Sequence, residues 1–395
     1  MKQARMLKLL GMVLCVGVVA VPAQNPGDTV NSLSIGGRGF GMGGAFAAIA
    51  DDVTAAAWNP AGLAYLTRPE FQVVMRTMPS YDTVQTGNAI NPTERTSGSA
   101  GAQQAGFVGL AVPLKNSRLG GNGTLGLAYW RGGFYEESVF AARLTSGDPE
   151  SNLEIRPREQ NTRLVTDFFT LSYGFKAGGG MHIGVGVVYA QQKLDYSLSE
   201  TIVDPANPNN PLGTTENQLN ETGTGVGGQI GVMAPFSGGR GTWGITYRSE
   251  ISLQNYGAGD TFADKIPARF SASASYLLAE VSRGSYQDFL VGAAQIDHYT
   301  KANTGLSDAR AETTNFGLGL QYMMSMRGFS VPIRIGFMTN KAANGVRFAD
   351  EDLFTFGLGF RPNRGHWNLD LDFASSSKRS GMDFSLSFAY QFGEE

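Results

Sequence analysis

Histidine and aspartate are the residue types in this chain that could support catalysis, because a histidine beside a carboxylate is the core of many hydrolase sites. His298 follows Asp297 directly, and His366 lies close to Asp370. Adjacent residues of a strand point to opposite faces, so Asp297 and His298 would not share a site there. No nucleophile elbow and no spaced set of metal ligands accompanies the histidines. We therefore expect no catalytic residue, no metal ion and no cofactor, and the chain is not predicted to be an enzyme.

A glycine-rich stretch near the N-terminus matches the dinucleotide-binding pattern G-x-G-x-x-G. It contains Gly39, Gly41, Gly43 and Gly44. A dinucleotide site would also need a strand–helix–strand unit with an acidic residue about twenty positions later. The rest of the chain reads as successive strands, so we interpret these glycines as positions where the backbone turns and packs closely inside a confined space.

Two consecutive carboxylates, Asp51 and Asp52, follow the glycine-rich stretch. One hypothesis is that they bind a cation or hold this segment to basic residues such as Arg334 or Arg361. The alternative, which we favour, is that they cap or solvate the end of a short helix.

The first residues have the pattern of a secretory signal. A basic region ends at Lys8, an apolar run follows over residues 9–21, and small residues surround Ala23. We therefore predict a signal peptide over residues 1–23, too short to span a bilayer. Cys15 is the only cysteine and lies in the apolar run, so the mature chain would hold no disulfide. The formal net charge of −3 favours no nucleic-acid partner.

From Glu70 onward, segments of about ten residues alternate large apolar side chains with small or polar ones, which is the period of a strand between two different environments. The final segment is the clearest example. One of its faces carries Met382, Phe384, Leu386, Phe388, Tyr390 and Phe392. Its other face carries Asp383, Ser385, Ser387, Ala389 and Gln391. The first face suits lipid, and the second suits a watery lumen.

Fourteen such segments can be counted, centred near residues 74, 108, 126, 170, 188, 227, 247, 274, 293, 319, 335, 357, 370 and 387. Long and short connections alternate between them, except at the final hairpin, which is short. This sorting is typical of outer-membrane barrels and has no counterpart in soluble sandwiches. The sequence therefore predicts an all-β fold, a 14-stranded antiparallel transmembrane β-barrel over residues 70–395.

Residues 24–69 have a different composition, with a helix predicted over residues 45–57 that Pro60 and Gly62 end. This stretch is too long for a simple tail and too apolar to remain free in the periplasm. We predict that it forms a small helical plug in the barrel lumen.

The N-terminal residues also carry a family resemblance. Residues 38–52, with the run from Ala57 to Leu63, resemble the plug signature of the FadL-like family of long-chain fatty-acid transporters in the outer membrane. The most distinctive part is the triplet Asn59, Pro60 and Ala61, which follows Trp58. The resemblance implies fourteen strands and assigns these residues, with the preceding glycines and aspartates, to the plug and its gating. The family also includes a component of type IX secretion.

An apolar group lies in the second long connection, where polar residues would be expected. It consists of Phe134, Tyr135, Val139 and Phe140, with Leu144 nearby. An exposed apolar patch in a loop often marks a binding site, so these residues are candidates for the capture of a hydrophobic ligand. Alternatively, they only pack the loop against its neighbours.

Together these features predict a protein of the outer membrane of a Gram-negative bacterium. We expect passive uptake of hydrophobic small molecules, such as long-chain fatty acids or aromatic hydrocarbons, with outer-membrane lipid around the barrel. The resemblance implies capture at the outer loops, a site between plug and wall, and exit through a gap in the wall. The alternative is a secretion or scaffold component that works through secretion subunits. A hydrophilic porin is disfavoured, because the N-terminal segment would obstruct it.

Overall fold

The computed structural model describes residues 35–77, 81–85, 94–98, 103–117, 121–141, 144–145, 154–203, 212–254, 265–302, 312–341, 351–376 and 382–393. The predicted signal peptide, residues 1–23, and the following residues up to 34 lie outside this set. Among the described residues, no helix has the length and apolar character needed to cross a membrane.

Fourteen antiparallel strands form one closed sheet, in which the last strand pairs with the first. In chain order they are β1 Glu70–Thr77, β2 Gln103–Ser117, β3 Gly121–Ala141, β4 Glu154–Gly178, β5 Met181–Val203, β6 Gly213–Phe236, β7 Gly241–Arg248, β8 Arg269–Arg283, β9 Tyr286–Tyr299, β10 Thr313–Met326, β11 Phe329–Asn340, β12 Glu351–Pro362, β13 Trp367–Ser375 and β14 Asp383–Gln391. Every predicted centre falls inside one of them, so the predicted 14-stranded barrel is confirmed.

Closure is seen in the register of the terminal strands. Val73 of β1 lies opposite Phe388 of β14 on one side and opposite Val108 of β2 on the other. Shorter strands lie at the end with the long connections: Tyr81–Gln85 pairs with Glu94–Gly98, Leu144–Thr145 pairs with β4, and Ile251–Ser252 pairs with Lys265–Ile266.

The two faces of the wall differ as the alternation predicts. On β12, Phe354 is 66% exposed, whereas the adjacent Thr355 is 5% exposed. On β14, Ser385 and Ser387 are buried inside, while Phe388 and Tyr390 lie outside. The closed sheet thus satisfies its backbone hydrogen bonds internally and presents an apolar exterior, as a membrane-spanning barrel must.

The four strands β3 to β6 are much longer than the about 10 residues that a barrel strand needs to cross a bilayer. They contain 21, 25, 23 and 24 residues. The prediction that residues 134–140 form a loop was therefore wrong, because β3 continues to Ala141 and pairs with β4. Beyond the bilayer a strand needs no lipid-facing side chains, so the alternation that marks the membrane part ends before the strand does.

The N-terminal segment, which we define as residues 35–69, contains three short helical elements. They are α1 (Arg38–Gly41), α2 (Ala55–Trp58) and a 3-10 helix (Pro60–Tyr65). The predicted helix over residues 45–57 was wrong except for its last residues. Between α1 and α2 the backbone follows turns, because several of its polar groups bond to the side chains of Gln295 and Asn59 in place of a helical ladder.

This segment lies against the inner face of the wall. The Ser385 hydroxyl oxygen accepts a hydrogen bond from the Gly37 amide over 3.1 Å, and the Thr355 hydroxyl donates to the Gly41 carbonyl oxygen over 3.0 Å. Gly43 has φ +60°, and a Cβ there would lie 2.6 Å from backbone atoms of Leu318 and Phe337. Only glycine permits this turn so close to the strands.

Candidate functional site

Asn59 joins distant parts of the N-terminal segment. Its side-chain nitrogen donates to the carbonyl oxygen of Ala47 over 2.9 Å, and its side-chain oxygen accepts from the Ala61 amide over 3.1 Å. The same nitrogen is 3.4 Å from the carbonyl oxygen of Val232 on β6. The amide is fully buried, so each of these bonds forms away from water and contributes to holding the segment against the wall.

A polar relay from β8 and β9 holds the other side of Ala47. The Gln295 side-chain oxygen accepts from the amides of Phe46 and Ala47 over 3.0 and 2.8 Å, and its nitrogen donates to both oxygens of Asp297 over 3.0 Å. Asp297 in turn accepts from Arg269 over 2.8 Å. These partners fix the orientation of the Gln295 amide, so the relay presents one acceptor to two consecutive backbone donors.

The relay also reaches the second half of the segment. The guanidinium of Arg269 lies 5.6 Å from the ring of Trp58, and the Trp58 ring meets Phe46 edge to face at 5.8 Å. A Cβ added at Gly39 would lie 2.7 Å from the Trp58 ring, so this glycine leaves room for the indole. Trp58 thus packs between the glycine-rich stretch and the wall.

Asp51 and Asp52 form ion pairs with Arg38 in their own segment, at 3.4 Å for Asp52. Asp52 also accepts hydrogen bonds from Thr54 just before α2. The hypothesis that Arg334 or Arg361 is their ion-pair partner was wrong. Burial raises the pKa of Asp52 above its ordinary value, against the attraction of Arg38. Burial opposes the charge of Arg38, but its two aspartate partners hold its pKa above the ordinary value.

Arg334 instead belongs to an ion-pair group of the wall. It is fully buried and donates to Asp370 over 2.7 Å, to Gln321 over 2.9 Å and to Asp372 over 3.4 Å. A Cβ at Gly41 would meet the Asp372 carboxylate, with the Arg334 side chain 3.3 Å away. The glycine-rich stretch therefore seats on a charged surface formed by β11 and β13.

The opposite side of the lumen is apolar. Inward-facing side chains of β2 to β5 form one buried cluster with the N-terminal segment. The wall contributes Phe107, Ala111, Ala128, Trp130, Leu164, Phe168, Val188, Ala190 and Leu194, and the segment contributes Phe46, Val53, Trp58 and Leu63. Inward-facing residues of a barrel are usually polar, so this cluster gives the lumen an oily side that water does not favour.

Next to this cluster the pairing of two wall strands ends. The ladder between β2 and β3 reaches the pair Phe107–Trp130, and β3 then has an irregular register against β4 between Arg131 and Gly133. On its other side, the next pairing of β3 within the described residues joins Ser138 to Ser97 of a short strand. Trp130 and Phe168 stack at 4.2 Å just inside this place.

The structure brings several predicted plug residues together, since Gly39, Trp58, Asn59, Pro60 and Ala61 are all buried within the segment or where it meets the wall. The predicted ligand-capture residues Phe134, Tyr135, Val139 and Phe140 lie in β3, and their side chains are outside the described part of the structure. They are therefore not shown to join the apolar cluster.

Sequence reasoning missed the residues on the apolar side and in the relay. A usable signal existed for the first group, because Tyr129-Trp130 and Phe168-Phe169 are adjacent aromatic pairs within strands. Alternation requires one member of each pair to face the lumen. Gln295 had no comparable signal, since an inward glutamine in a barrel strand is ordinary.

The histidines do not form a site with the aspartates that suggested one. His298 contacts Thr314 over 3.1 Å, whereas the adjacent Asp297 faces the relay. His366 lies 3.1 Å from Arg68. No group of three metal-ligating side chains occurs among the residues that the structure describes.

A closed 14-stranded barrel with an apolar exterior and an occupied lumen defines the class of outer-membrane channels. A family model described as outer membrane protein transport protein (OMPP1/FadL/TodX) matches residues 16–296. The chain belongs to this family of Gram-negative outer-membrane proteins.

Solved structures share the fold at low sequence identity. The Ralstonia pickettii toluene transporter TbuX matches with TM-score 0.60 and 12% identity, covering 90% of this chain and 97% of that one. The Pseudomonas putida toluene transporter TodX matches with TM-score 0.57 and 9% identity, with the same coverage. A Pseudomonas aeruginosa FadL homologue matches with TM-score 0.56 and 16% identity, covering 90% and 98%. No curated protein sequence matches the chain.

Proposed function

We propose that this protein admits hydrophobic small molecules passively across the outer membrane, with residues 24–69 as a plug domain inside a barrel of residues 70–395. The observation that carries the proposal is the apolar cluster shared by β2 to β5 and the N-terminal segment. Each methylene buried in such a site is worth about 0.8 kcal/mol, whereas a water-filled pore offers an oily molecule nothing.

The ligand would move along the apolar side while the polar side holds the plug. Phe134, Tyr135, Val139 and Phe140 would capture it on the part of β3 beyond the bilayer. It would then enter between plug and wall, where Trp58 meets the apolar cluster. Separate sides for the ligand and for the plug contacts explain why one lumen contains both an apolar cluster and an ion-pair group.

The place where the β2–β3 ladder ends is the proposed exit into the membrane. The pair Phe107–Trp130 is the last of that ladder, and both side chains are buried on the lumen side. A ligand that leaves sideways there passes from apolar side chains into lipid without entering water, so its transfer avoids the cost of rehydration.

Fatty acids and aromatic hydrocarbons are both reasonable cargo, because the matched structures are two toluene transporters and a FadL homologue. A secretion role would call for a wide lumen without an apolar cleft, and the buried cluster argues against it.

A reversible crosslink tests whether the plug must move. An ideal Cβ at Gly126 of β3 would lie 3.2 Å from the Cβ of Ala56 in α2, close to the about 3.5–4.5 Å of disulfides. We expect the double variant Ala56→Cys/Gly126→Cys to take up labelled oleate and toluene slowly when oxidised and normally after reduction. Each single variant serves as the control.

Uptake that is equal before and after reduction of a verified crosslink would contradict plug movement. Cells that take up neither compound faster with the wild-type protein than without it would contradict transport itself.

A further inference from the structure

We infer that Arg248 is a specificity-determining residue that makes the lateral exit favour planar aromatic hydrocarbons over saturated chains. The inference rests on the proposed uptake of hydrophobic molecules and assigns a substrate class to it. Arg248 is the last residue of β7, points into the lumen and is 6% exposed.

The guanidinium of Arg248 reaches the aromatic pair at the proposed exit. Its central carbon lies 5.0 Å from the ring centre of Phe168 and 5.6 Å from that of Trp130. The two rings are stacked at 4.2 Å with an angle of 16° between their planes. Since β7 does not pair with β3 or β4 in the barrel, this contact joins separate parts of the wall through the lumen.

Arg269, the neighbour of Arg248 on the next strand, shows that an arginine at a strand end does not always contact the Trp130–Phe168 pair. Arg269 lies directly opposite Arg248 in the β7–β8 ladder. Its guanidinium is committed to the carboxylate of Asp297 at 2.8 Å and belongs to the relay that holds the plug. Of the two, Arg248 is the one that contacts the aromatic pair.

A ligand that leaves through this place has to pass the guanidinium and the two rings. An aromatic ring can take over the contact with the flat guanidinium face, because the quadrupole of a ring face attracts the cation. A saturated chain has no such quadrupole, so it would separate the cation from the rings without replacing the attraction. Passage of aromatic molecules is therefore favoured by about three- to tenfold.

The test compares toluene with n-heptane, which has the same number of carbon atoms. Cells that lack other uptake routes express the full chain, and the initial uptake of both labelled compounds is measured from one mixture. We expect Arg248→Met to lower the ratio of toluene to heptane uptake by about three- to tenfold. Arg248→Lys keeps the charge but loses the planar face, so the ratio should fall less.

Arg240→Met is the matched control, because it removes an exposed guanidinium 5.9 Å from the Tyr276 ring at a short turn. Its ratio should equal that of the wild type. Heat-dependent migration on gels reports whether each barrel is folded, and Arg248→Lys carries the comparison if Arg248→Met does not fold.

An unchanged ratio, or an equal loss of both compounds, would overturn the inference, because a merely structural role affects both alike. If the wild-type protein takes up both compounds with no preference, the inference fails while the proposed function stands. If it takes up neither, the proposed function fails, and the inference with it.

Discussion

The side-chain amide of Asn59 donates a hydrogen bond to the carbonyl oxygen of Ala47 over 2.9 Å, which ties together two parts of the N-terminal segment that lie twelve residues apart. The Ala47 amide N–H donates a hydrogen bond to the side-chain oxygen of Gln295 in the wall. One peptide region therefore links the interior of the N-terminal segment to the barrel, and changes on either side of it should loosen the same segment.

Space for Asn59 depends on a glycine of β6. A Cβ added at Gly231 would overlap the Asn59 side-chain oxygen and lie 3.0 Å from Pro60. We expect Gly231→Ala to destabilise the seated plug by about 1–3 kcal/mol, the usual cost of overpacking. Displacement of the plug would open the lumen to ions, so the conductance of the purified protein in planar bilayers should rise.

Gly228→Ala on the same strand is the control, because the nearest atom to a Cβ there is a backbone oxygen 3.9 Å away. Equal conductance of the two variants would show that the contact between Gly231 and Asn59 does not seat the plug.

Gln295 offers a second way to release the segment. Gln295→Met keeps the length of the side chain but leaves the amides of Phe46 and Ala47 without their acceptor. A loss of about 1–2 kcal/mol from these bonds corresponds to about 5- to 30-fold faster local opening. Hydrogen–deuterium exchange of peptides that contain Phe46 and Ala47 measures this directly.

Gln287→Met on the same strand removes an exposed glutamine that bonds to Glu280 over 2.8 Å. In Gln287→Met, hydrogen–deuterium exchange of peptides that contain Phe46 should be as slow as in the wild type. The prediction fails if Gln287→Met and Gln295→Met accelerate this exchange equally.

The buried Arg334 should matter more for barrel stability than for plug position. Arg334→Met leaves Asp370 buried without the cation 2.7 Å away, and removal of one partner from a buried ion pair typically costs about 3–5 kcal/mol. Thermal unfolding of the purified barrel, followed by heat-dependent gel migration, should shift to a clearly lower temperature.

Arg334→Met combined with Asp370→Asn should recover part of that loss, since only one of the two carboxylates that pair with Arg334 then keeps its charge. Lys193→Met, which breaks an exposed pair with Asp195 at 3.6 Å, should change little. A double variant that is no more stable than the single one would argue against buried charge as the cause.

Much of the fold follows from the sequence by itself. Alternation from Phe384 to Phe392 distinguishes a lipid face from a lumen face with a period of two residues, and neither face needs distant partners to be recognised. The same reasoning places all fourteen strands, because the membrane imposes one environment on every outward position. The residues around Asn59 likewise carry the family resemblance through local order alone.

The tertiary structure decided what the local pattern leaves open. Residues 45–54 form turns because Gln295 and Asn59 supply hydrogen-bond partners that lie 249 and 12 residues away from Phe46 and Ala47. Residues 134–140 form strand because β4 pairs with them.

The apolar and charged sides of the lumen also arise only after closure. Phe107 and Phe168 meet Leu63 of the N-terminal segment in one cluster because the barrel brings the strands of the two phenylalanines around a common interior. Alternation tells which way a side chain points, but contacts across an enclosed space depend on which strands face one another. That arrangement is a property of the closed barrel, so only its tertiary structure could reveal the site.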